Sequence, residues 1–108
     1  MIRQDRGAFK NATNTGTTSA VATISGVVNT IFYLTDVSGS SDSASATLVV
    51  KNGSTVIWQE KIGDTVPYVS NLTTPLVCVG GNDITVTVTG TATCNANISG
   101  FSIESIKG

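Results

Sequence analysis

The sequence contains no histidine and few charged residues. Histidine is the commonest general base and the commonest metal ligand, so its absence removes the usual centre of acid–base and metal chemistry. Charged residues make up 12% of the 108 positions, half the share of about 25% that is typical of globular proteins. Because the net charge is −1, we expect no nucleic-acid partner, which would require a basic surface.

Long hydrophobic runs are also absent. No apolar stretch approaches the ~18 residues that a membrane-spanning helix needs. The first residues, MIRQDRGAFKNAT, lack the apolar centre of a signal peptide. We therefore expect neither a membrane partner nor export through a signal peptide.

Sequence motifs of enzymes are missing as well. The chain has no G-x-S-x-G, phosphate-binding-loop or dinucleotide-binding pattern. Asp36, Asp42, Asp64 and Asp83 lie in or beside loops rich in Gly and Ser, where aspartate commonly caps turns. The spacing of Asp36 and Asp42 does not match a calcium-binding EF-hand loop. The sequence thus predicts a protein that is not an enzyme and has no metal or cofactor.

The two cysteines, Cys78 and Cys94, lie on either side of one predicted strand. Two cysteines without histidine argue against a zinc site, because the metal takes four ligands. The favoured interpretation is two small thiols that are buried or half-buried. A disulfide across a hairpin, formed in an oxidising environment after release from the cell, is the alternative.

The most regular pattern lies within Asn82–Ile106, around which we expect the rest of the chain to pack. Apolar and polar residues alternate strictly over Ile84–Thr89, which predicts a strand with one buried face. Apolar residues continue at Ala96, Ile98, Phe101, Ile103 and Ile106, with a phase shift of one residue at Ser99-Gly100. That shift predicts a β-bulge and a closing hairpin with Phe101 and Ile103 on the apolar side.

Further short strands are predicted upstream. Asn52-Gly53 predicts a two-residue type I′ hairpin turn, and Pro75 places its strand at an edge or a bend. We take Trp58 as a core anchor. About seven or eight antiparallel strands at this spacing indicate an all-β, jelly-roll-like sandwich. An immunoglobulin sandwich is disfavoured because Trp58 precedes both cysteines. The predicted strands are Val21–Ser25, Val27–Val37, Ser45–Lys51, Ser54–Lys61, Leu72–Val79 and the two in the closing hairpin.

We divide the chain into an extended N-terminal arm, residues 1–20, and a single sandwich domain, residues 21–108. The arm carries several charges and then a polar run without a buried face. Its apolar Ile2 and Phe9 favour an arm that docks on a partner, and a disordered terminus is the alternative. The strand Val27–Val37 is apolar on both faces, so it is either central in the sandwich or covered by a neighbouring subunit.

Four short motifs occur in a fixed order along the chain: Lys51-Asn52-Gly53 with Val56 and Trp58, Pro75-Leu76, Gly81-Asn82 with Ile84 and Val86, and Ile98, Gly100 and Phe101. This order of turns and strands resembles that of small jelly-roll proteins that decorate or cement the heads of tailed bacteriophages. The resemblance covers about residues 21–106, and similar patterns occur in phage fibre heads and in trimeric folds of the tumour-necrosis-factor type.

The resemblance implies a homotrimer on the exterior of the virion that bridges neighbouring major capsid subunits after synthesis in the host cytoplasm. The implied subunit interface comprises Ile31, Phe32, Tyr33 and Leu34, with Tyr68 and Phe101 as secondary members. For each of these residues, burial inside its own subunit is the alternative. The implied capsid-binding arm uses Ile2, Arg3, Arg6, Phe9 and Lys10.

A fibre, tail or neck head domain that binds a receptor or carbohydrate is the alternative function. Sugar sites require exposed aromatic side chains beside polar groups. The chain has three Phe, two Tyr and one Trp, and most of them fit core positions. The sequence therefore favours decoration of the capsid over carbohydrate binding.

Overall fold

The computed structural model describes residues 8–62, 68–79 and 81–104. Within these ranges the chain forms eight strands and no helix, which confirms the all-β prediction. The strands are β1 (Ala8–Gly16), β2 (Ser19–Ile24), β3 (Thr30–Ser41), β4 (Ala46–Asn52), β5 (Thr55–Ile62), β6 (Tyr68–Cys78), β7 (Ile84–Thr89) and β8 (Cys94–Glu104).

The strands form two four-stranded antiparallel sheets. Sheet I has the order β1-β8-β3-β6 and sheet II the order β2-β7-β4-β5. The chain can be described as one long antiparallel ribbon, folded at the β4–β5 turn, in which the first strand pairs with the last. The pairs within this ribbon are β1–β8, β2–β7, β3–β6 and β4–β5. Wrapping that ribbon adds the pairs β3–β8 and β4–β7. This arrangement is a jelly roll, as the sequence predicted.

The core lies between the two sheets and follows from alternation along each strand. In β7, Ile84, Val86 and Val88 are at most 2% exposed, while the threonines between them face outward. Such burial stabilises the fold by about 1.5–3 kcal/mol for each large aliphatic side chain. The other buried apolar residues are Ala20, Ala22, Ile24, Phe32, Leu34, Val37, Ala46, Leu48, Val50, Cys78, Cys94, Ala96 and Ile98.

The predicted separation of an arm, residues 1–20, from the sandwich is wrong from Ala8 onward. Residues Ala8–Gly16 pair along β8 from Ser102 to Cys94 as the edge strand of sheet I. Small Ala12 packs against the core, and the polar outer face of the strand is solvated, so the run needs no large apolar residues. Residues 1–7, which include Ile2, Arg3 and Arg6, lie outside the described residues.

The predicted closing hairpin is also wrong, because β7 belongs to sheet II and β8 to sheet I. The residues between them cross from one sheet to the other. Alternation along a strand shows which face is buried, but both sheets share one core, so it cannot show which sheet the strand joins.

The bulge lies where the sequence predicted it, but on the opposite strand. Leu34 is paired with Gly100 and Asp36 with Ser99, so the extra residue is Thr35 of β3. β8 keeps its alternation through inward-facing Gly100, where an added Cβ would lie 2.6 Å from Cζ of Phe32. As a result, Phe101 and the other odd-numbered residues of β8 face outward, contrary to the prediction.

The β4–β5 hairpin turn differs from the prediction by one residue. Asn52 is paired with Thr55, so the two loop residues are Gly53 and Ser54. Of these, only Gly53 has a positive φ, 65°, which is typical of a type II′ turn and not of type I′. The Asn52 side chain instead links the hairpin to the β6–β7 connection, because its Nδ2 donates to the carbonyl of Val79 at 3.2 Å.

The predictions for Pro75 and Trp58 are confirmed. β6 is an edge strand of sheet I, and Pro75 lies in an irregular stretch of it. There, residues 72–75 of β6 face only Thr35 of β3. Trp58 pairs with Val50 and packs partly against the core.

A disulfide between Cys78 and Cys94 is excluded by their positions in sheet I. Cys78 is paired with Phe32 and Cys94 with Ser41, at the two ends of β3. That separation corresponds to about 30 Å along a strand, far beyond the reach of a disulfide. Both cysteines are buried free thiols, as the favoured interpretation of the sequence predicted.

Candidate interaction surface

An apolar row crosses all four strands on the outer face of sheet I. Phe9 is paired with Phe101, Phe101 with Tyr33, and Tyr33 with Val77. The two ends of the row are the most exposed, with Phe9 at 71% and Val77 at 57%. Side chains paired in this way on one face lie within contact distance, so the four residues form one continuous strip.

Two aromatic rings form the centre of that row. Tyr33 and Phe101 are stacked with ring centroids 5.1 Å apart and planes inclined by 9°. A pair of this kind contributes about 0.5–1.5 kcal/mol beyond the area that it buries. The stack holds both rings in one orientation, so the centre of the strip is rigid.

A second apolar row lies beside the first. Ile103 is paired with Ile31, and Val79, the residue after β6, is 56% exposed. We call the two rows together the apolar surface: Phe9, Ile31, Tyr33, Val77, Val79, Phe101 and Ile103. It occupies the part of sheet I on one side of the Thr35 bulge.

On the other side of the bulge the same face of the sheet is polar. Thr15 Oγ1 donates to Oδ1 of Asn95 at 2.8 Å, and Asn95 Nδ2 donates to Oγ of Ser40 at 3.2 Å. Val69 of β6, paired with Ser38 and 62% exposed, is the apolar exception. The polar surface comprises Asn11, Thr13, Thr15, Asp36, Ser38, Ser40, Asn95, Asn97 and Ser99.

Charge is nearly absent from the outer face of sheet I. Among the residues whose side chains the structure describes there, Asp36 is the charged one, and it accepts hydrogen bonds from the hydroxyls of Thr35 and Ser99. Lys10 is paired with inward-facing Gly100 and lines a small pocket at one end of the sandwich with Phe32 and Cys78. The apolar surface therefore carries no charged side chain.

The outer face of sheet II is different in character. Two of its rows join Ser19 with Thr89 and Thr47, and Thr23 with Thr85 and Lys51. The row between them joins Val21, Thr87 and Val49, and Val21 is 41% exposed. Threonine side chains on a strand present a hydroxyl and a methyl group to water and need no partner to cover them. Of the two outer faces, that of sheet I is the one that carries a cluster of aromatic side chains.

The structure divides the predicted subunit interface. Ile31, Tyr33 and Phe101 are brought together on the apolar surface. Phe32 and Leu34 are 6% and 0% exposed, so their assignment to an interface is wrong: they point into the core on the opposite side of β3. Tyr68 is paired with inward-facing Gly39 and packs against the core.

The predicted capsid-binding arm is likewise divided. Phe9 and Lys10 are residues of β1, with Phe9 on the apolar surface and Lys10 at the edge of the sandwich. Their assignment to a free arm is corrected accordingly. The remaining members, Ile2, Arg3 and Arg6, lie outside the described residues.

The sequence analysis missed Val77 and Val79 and placed Ile103 on the wrong face. The segment Val77-Cys78-Val79 carried a usable signal, because a buried cysteine between two valines turns both valines outward. Ile103 could not be placed from its own strand, since its orientation depends on the bulge residue being in β3.

Reactive groups are sparse. No group of three or more His, Cys, Asp or Glu residues in the described part of the chain could hold a metal ion. Burial raises the pKa of the Cys78 thiol, which keeps it protonated and weakly nucleophilic. Asp83 stabilises a loop, because its Oδ1 accepts a hydrogen bond from the backbone N–H of Gly26 at 2.7 Å.

No protein-family model matches the chain, and no curated protein is significantly similar to it. The resemblance to phage decoration proteins therefore stays a prediction.

Proposed function

We propose that the protein is a capsid decoration, or cement, protein of a tailed bacteriophage. In this proposal it is a virion structural protein on the capsid exterior, forms a homotrimer and bridges neighbouring major capsid subunits. The observation that carries the proposal is the apolar surface on sheet I of a small jelly roll. A surface of this kind is suited to assembly, and the sequence offers no catalytic motif for a reaction.

Assembly also fits the size of the chain. A single domain of about 100 residues buries only about two thirds of the surface that its unfolded chain exposes. Binding between folded subunits then stabilises each of them by mass action. A decoration protein benefits from this coupling, because it has to remain folded on the outside of a particle.

Contact with the capsid is assigned to the N-terminal residues. Arg3 and Arg6 are expected to pair with acidic loops of the major capsid protein, and Ile2 to fill a shallow apolar pocket. Because Phe9 and Lys10 belong to β1, the segment that we propose to bind the capsid is shortened to residues 1–7.

The test is binding to expanded capsids of the parent phage that have been prepared without this protein. We expect saturable attachment of the full chain, visible by electron microscopy at threefold or quasi-threefold positions. Deletion of residues 2–7 keeps β1 whole and is expected to abolish attachment while the oligomer persists. Failure of the full chain to attach would overturn the proposed function, and normal attachment of the deletion variant would overturn the assignment of the arm.

A receptor- or carbohydrate-binding head domain is the second candidate. It is favoured by one observation, the exposed ring of Phe9 and the Tyr33–Phe101 stack next to the amides and hydroxyls of the polar surface. A glycan-array signal that is lost in Tyr33→Ala would support this function over decoration. Tyr68 is less suitable for the test because it packs against the core.

A further inference from the structure

We propose that the apolar surface is a contact between copies of this chain, so that its occupant is another copy. This inference rests on the proposed function in one respect: the number of copies in the oligomer, three, is taken from it. The contact itself requires no capsid.

Charge is the first reason for choosing another copy as the occupant. A surface that recognises a strongly charged partner carries complementary charges, which steer the encounter and exclude wrong partners. The apolar surface has none, and the nearest described charge on that face, Asp36, lies beyond the Thr35 bulge and is hydrogen-bonded to two hydroxyls. The apolar surface therefore suits a partner with few charges, and another copy of this chain, with a net charge of −1 and 12% charged residues, is such a partner.

The area of the face is the second reason. Four strands about 4.8 Å apart and 11 residues long, the length of β8, make a face of about 19 by 36 Å, or roughly 700 Å². A stable protein–protein contact buries about 800 Å² on each partner. The outer face of sheet I therefore has the size of a standard interface, with the apolar surface as its dry part and the polar surface as its hydrated rim.

Rigidity is the third reason. All but Val79 of the seven residues lie on paired strands, and the Tyr33–Phe101 stack fixes the two central rings. Residues that are already ordered lose little conformational freedom on binding, and buried aromatic side chains commonly dominate the energy of an interface. The centre of the row, Tyr33 and Phe101, is thus the expected hot spot.

β6 provides a matched pair of variants for the test. Val77 and Val69 are the same residue type, face outward from the same edge strand and are 57% and 62% exposed. Val77 lies on the apolar surface, whereas Val69 is paired with Ser38 among polar residues. Glutamate at either position adds the same charge without touching the core.

The measurement is sedimentation equilibrium of the full chain and of Val77→Glu and Val69→Glu, with far-ultraviolet circular dichroism as a check of the fold. We expect the full chain to be a trimer at micromolar concentration. Val77→Glu is expected to raise the dissociation constant at least about tenfold, because it buries an unpaired charge, and Val69→Glu to change it much less. If Val77→Glu does not fold, Tyr33→Ser, at an outward position in the centre of the row, takes its place with the same expected result.

The outcomes separate this inference from the proposed function. A monomeric full chain, an unchanged mass for Val77→Glu, or equal weakening by both glutamate variants would overturn the contact. A dimer that Val77→Glu dissociates would support the contact and overturn the trimer of the proposed function. Failure to attach to capsids, with the oligomer behaving as expected, would overturn decoration alone.

Discussion

At the scale of single residues, Gly100 allows β8 to keep its alternation beside the Thr35 bulge. It occupies an inward position of β8, where an added Cβ would lie 2.2 Å from the carbonyl oxygen of Tyr33 and 2.6 Å from Cζ of Phe32. The space left by the missing side chain is filled by the Phe32 ring. Gly100 thus continues the alternation of β8, and Phe101 reaches the outer face.

We expect Gly100→Ala to lower the free energy of unfolding by about 2–3 kcal/mol, in the upper range for an overpacked core. The physical reason is that the new methyl group has to displace both a backbone carbonyl and the Phe32 ring. Urea unfolding followed by the fluorescence of Trp58 measures the change. Asn97→Ala, at an exposed position of the same strand, is the control and should alter stability by less than about 0.5 kcal/mol. An unchanged unfolding midpoint for Gly100→Ala would mean that the Phe32 ring is not packed against this site.

At the scale of strands, alternation within a single segment is the signal that predicted a strand most accurately. Ile84–Thr89 was predicted with the bounds that β7 has, because strict alternation needs no information from elsewhere in the chain. The β-bulge was predicted at the correct place in the sheet but in β8 instead of β3. A sequence shows where the alternation of apolar residues changes phase, but it does not show which of two paired strands holds the extra residue. The β7–β8 hairpin failed for a related reason: the partner of each strand is set by the wrapping of the whole ribbon.

β1 is the element for which the sequence was most misleading. Its run of Asn, Thr and Gly has low hydrophobicity, yet each residue from Ala8 to Gly16 is in register with β8. An edge strand needs few apolar residues, because β8 provides its hydrogen-bond partners and only one of its faces meets the core. This explains how a polar segment can be part of the sandwich.

Deletion of residues 2–16 is therefore expected to lower the free energy of unfolding by at least about 2 kcal/mol, since it removes a row of hydrogen bonds that contribute about 0.5–1.5 kcal/mol each. Thermal and urea unfolding of the full chain and the deletion variant would measure this. The variant that lacks only residues 2–7 is the matched control, because it keeps all of β1. Equal stability of the two deletion variants would show that residues 8–16 act as a free arm, as the sequence suggested.

At the scale of the whole molecule, the fold class was predictable and the interaction surface was only partly so. Composition and turn spacing were sufficient for an all-β sandwich, and the position of Trp58 before both cysteines favoured a jelly roll over an immunoglobulin sandwich. The members of the apolar surface come from four strands, and their common orientation depends on the Thr35 bulge and on the register of β6. Single strands can supply candidates such as Tyr33 and Phe101, but only the assembled sheet places Phe9 and Val77 beside them.

The same topology sets the expected rate of folding. β4 and β5 are joined by a two-residue turn, but the first strand pairs with the last, with Ala8 opposite Ser102. Closing such long loops costs entropy before the pairing returns any stability, so all-β proteins with distant partners fold in milliseconds to seconds. We expect stopped-flow refolding, followed by Trp58 fluorescence, to fall in that range.

A circular permutant tests whether folding is slow because β1 and β8 are far apart in the sequence. Joining the two ends by a flexible linker and opening the chain in the Gly53–Ser54 turn makes β1 and β8 neighbours in sequence and separates β4 from β5. Because this converts the most distant pair into a local one, we expect the phase in which β1 docks on β8 to accelerate. Hydrogen exchange on β8 during refolding reports that step directly. An unchanged rate of protection on β8 would show that the β1–β8 pairing does not limit folding, and that the ribbon closes from a different pair of strands.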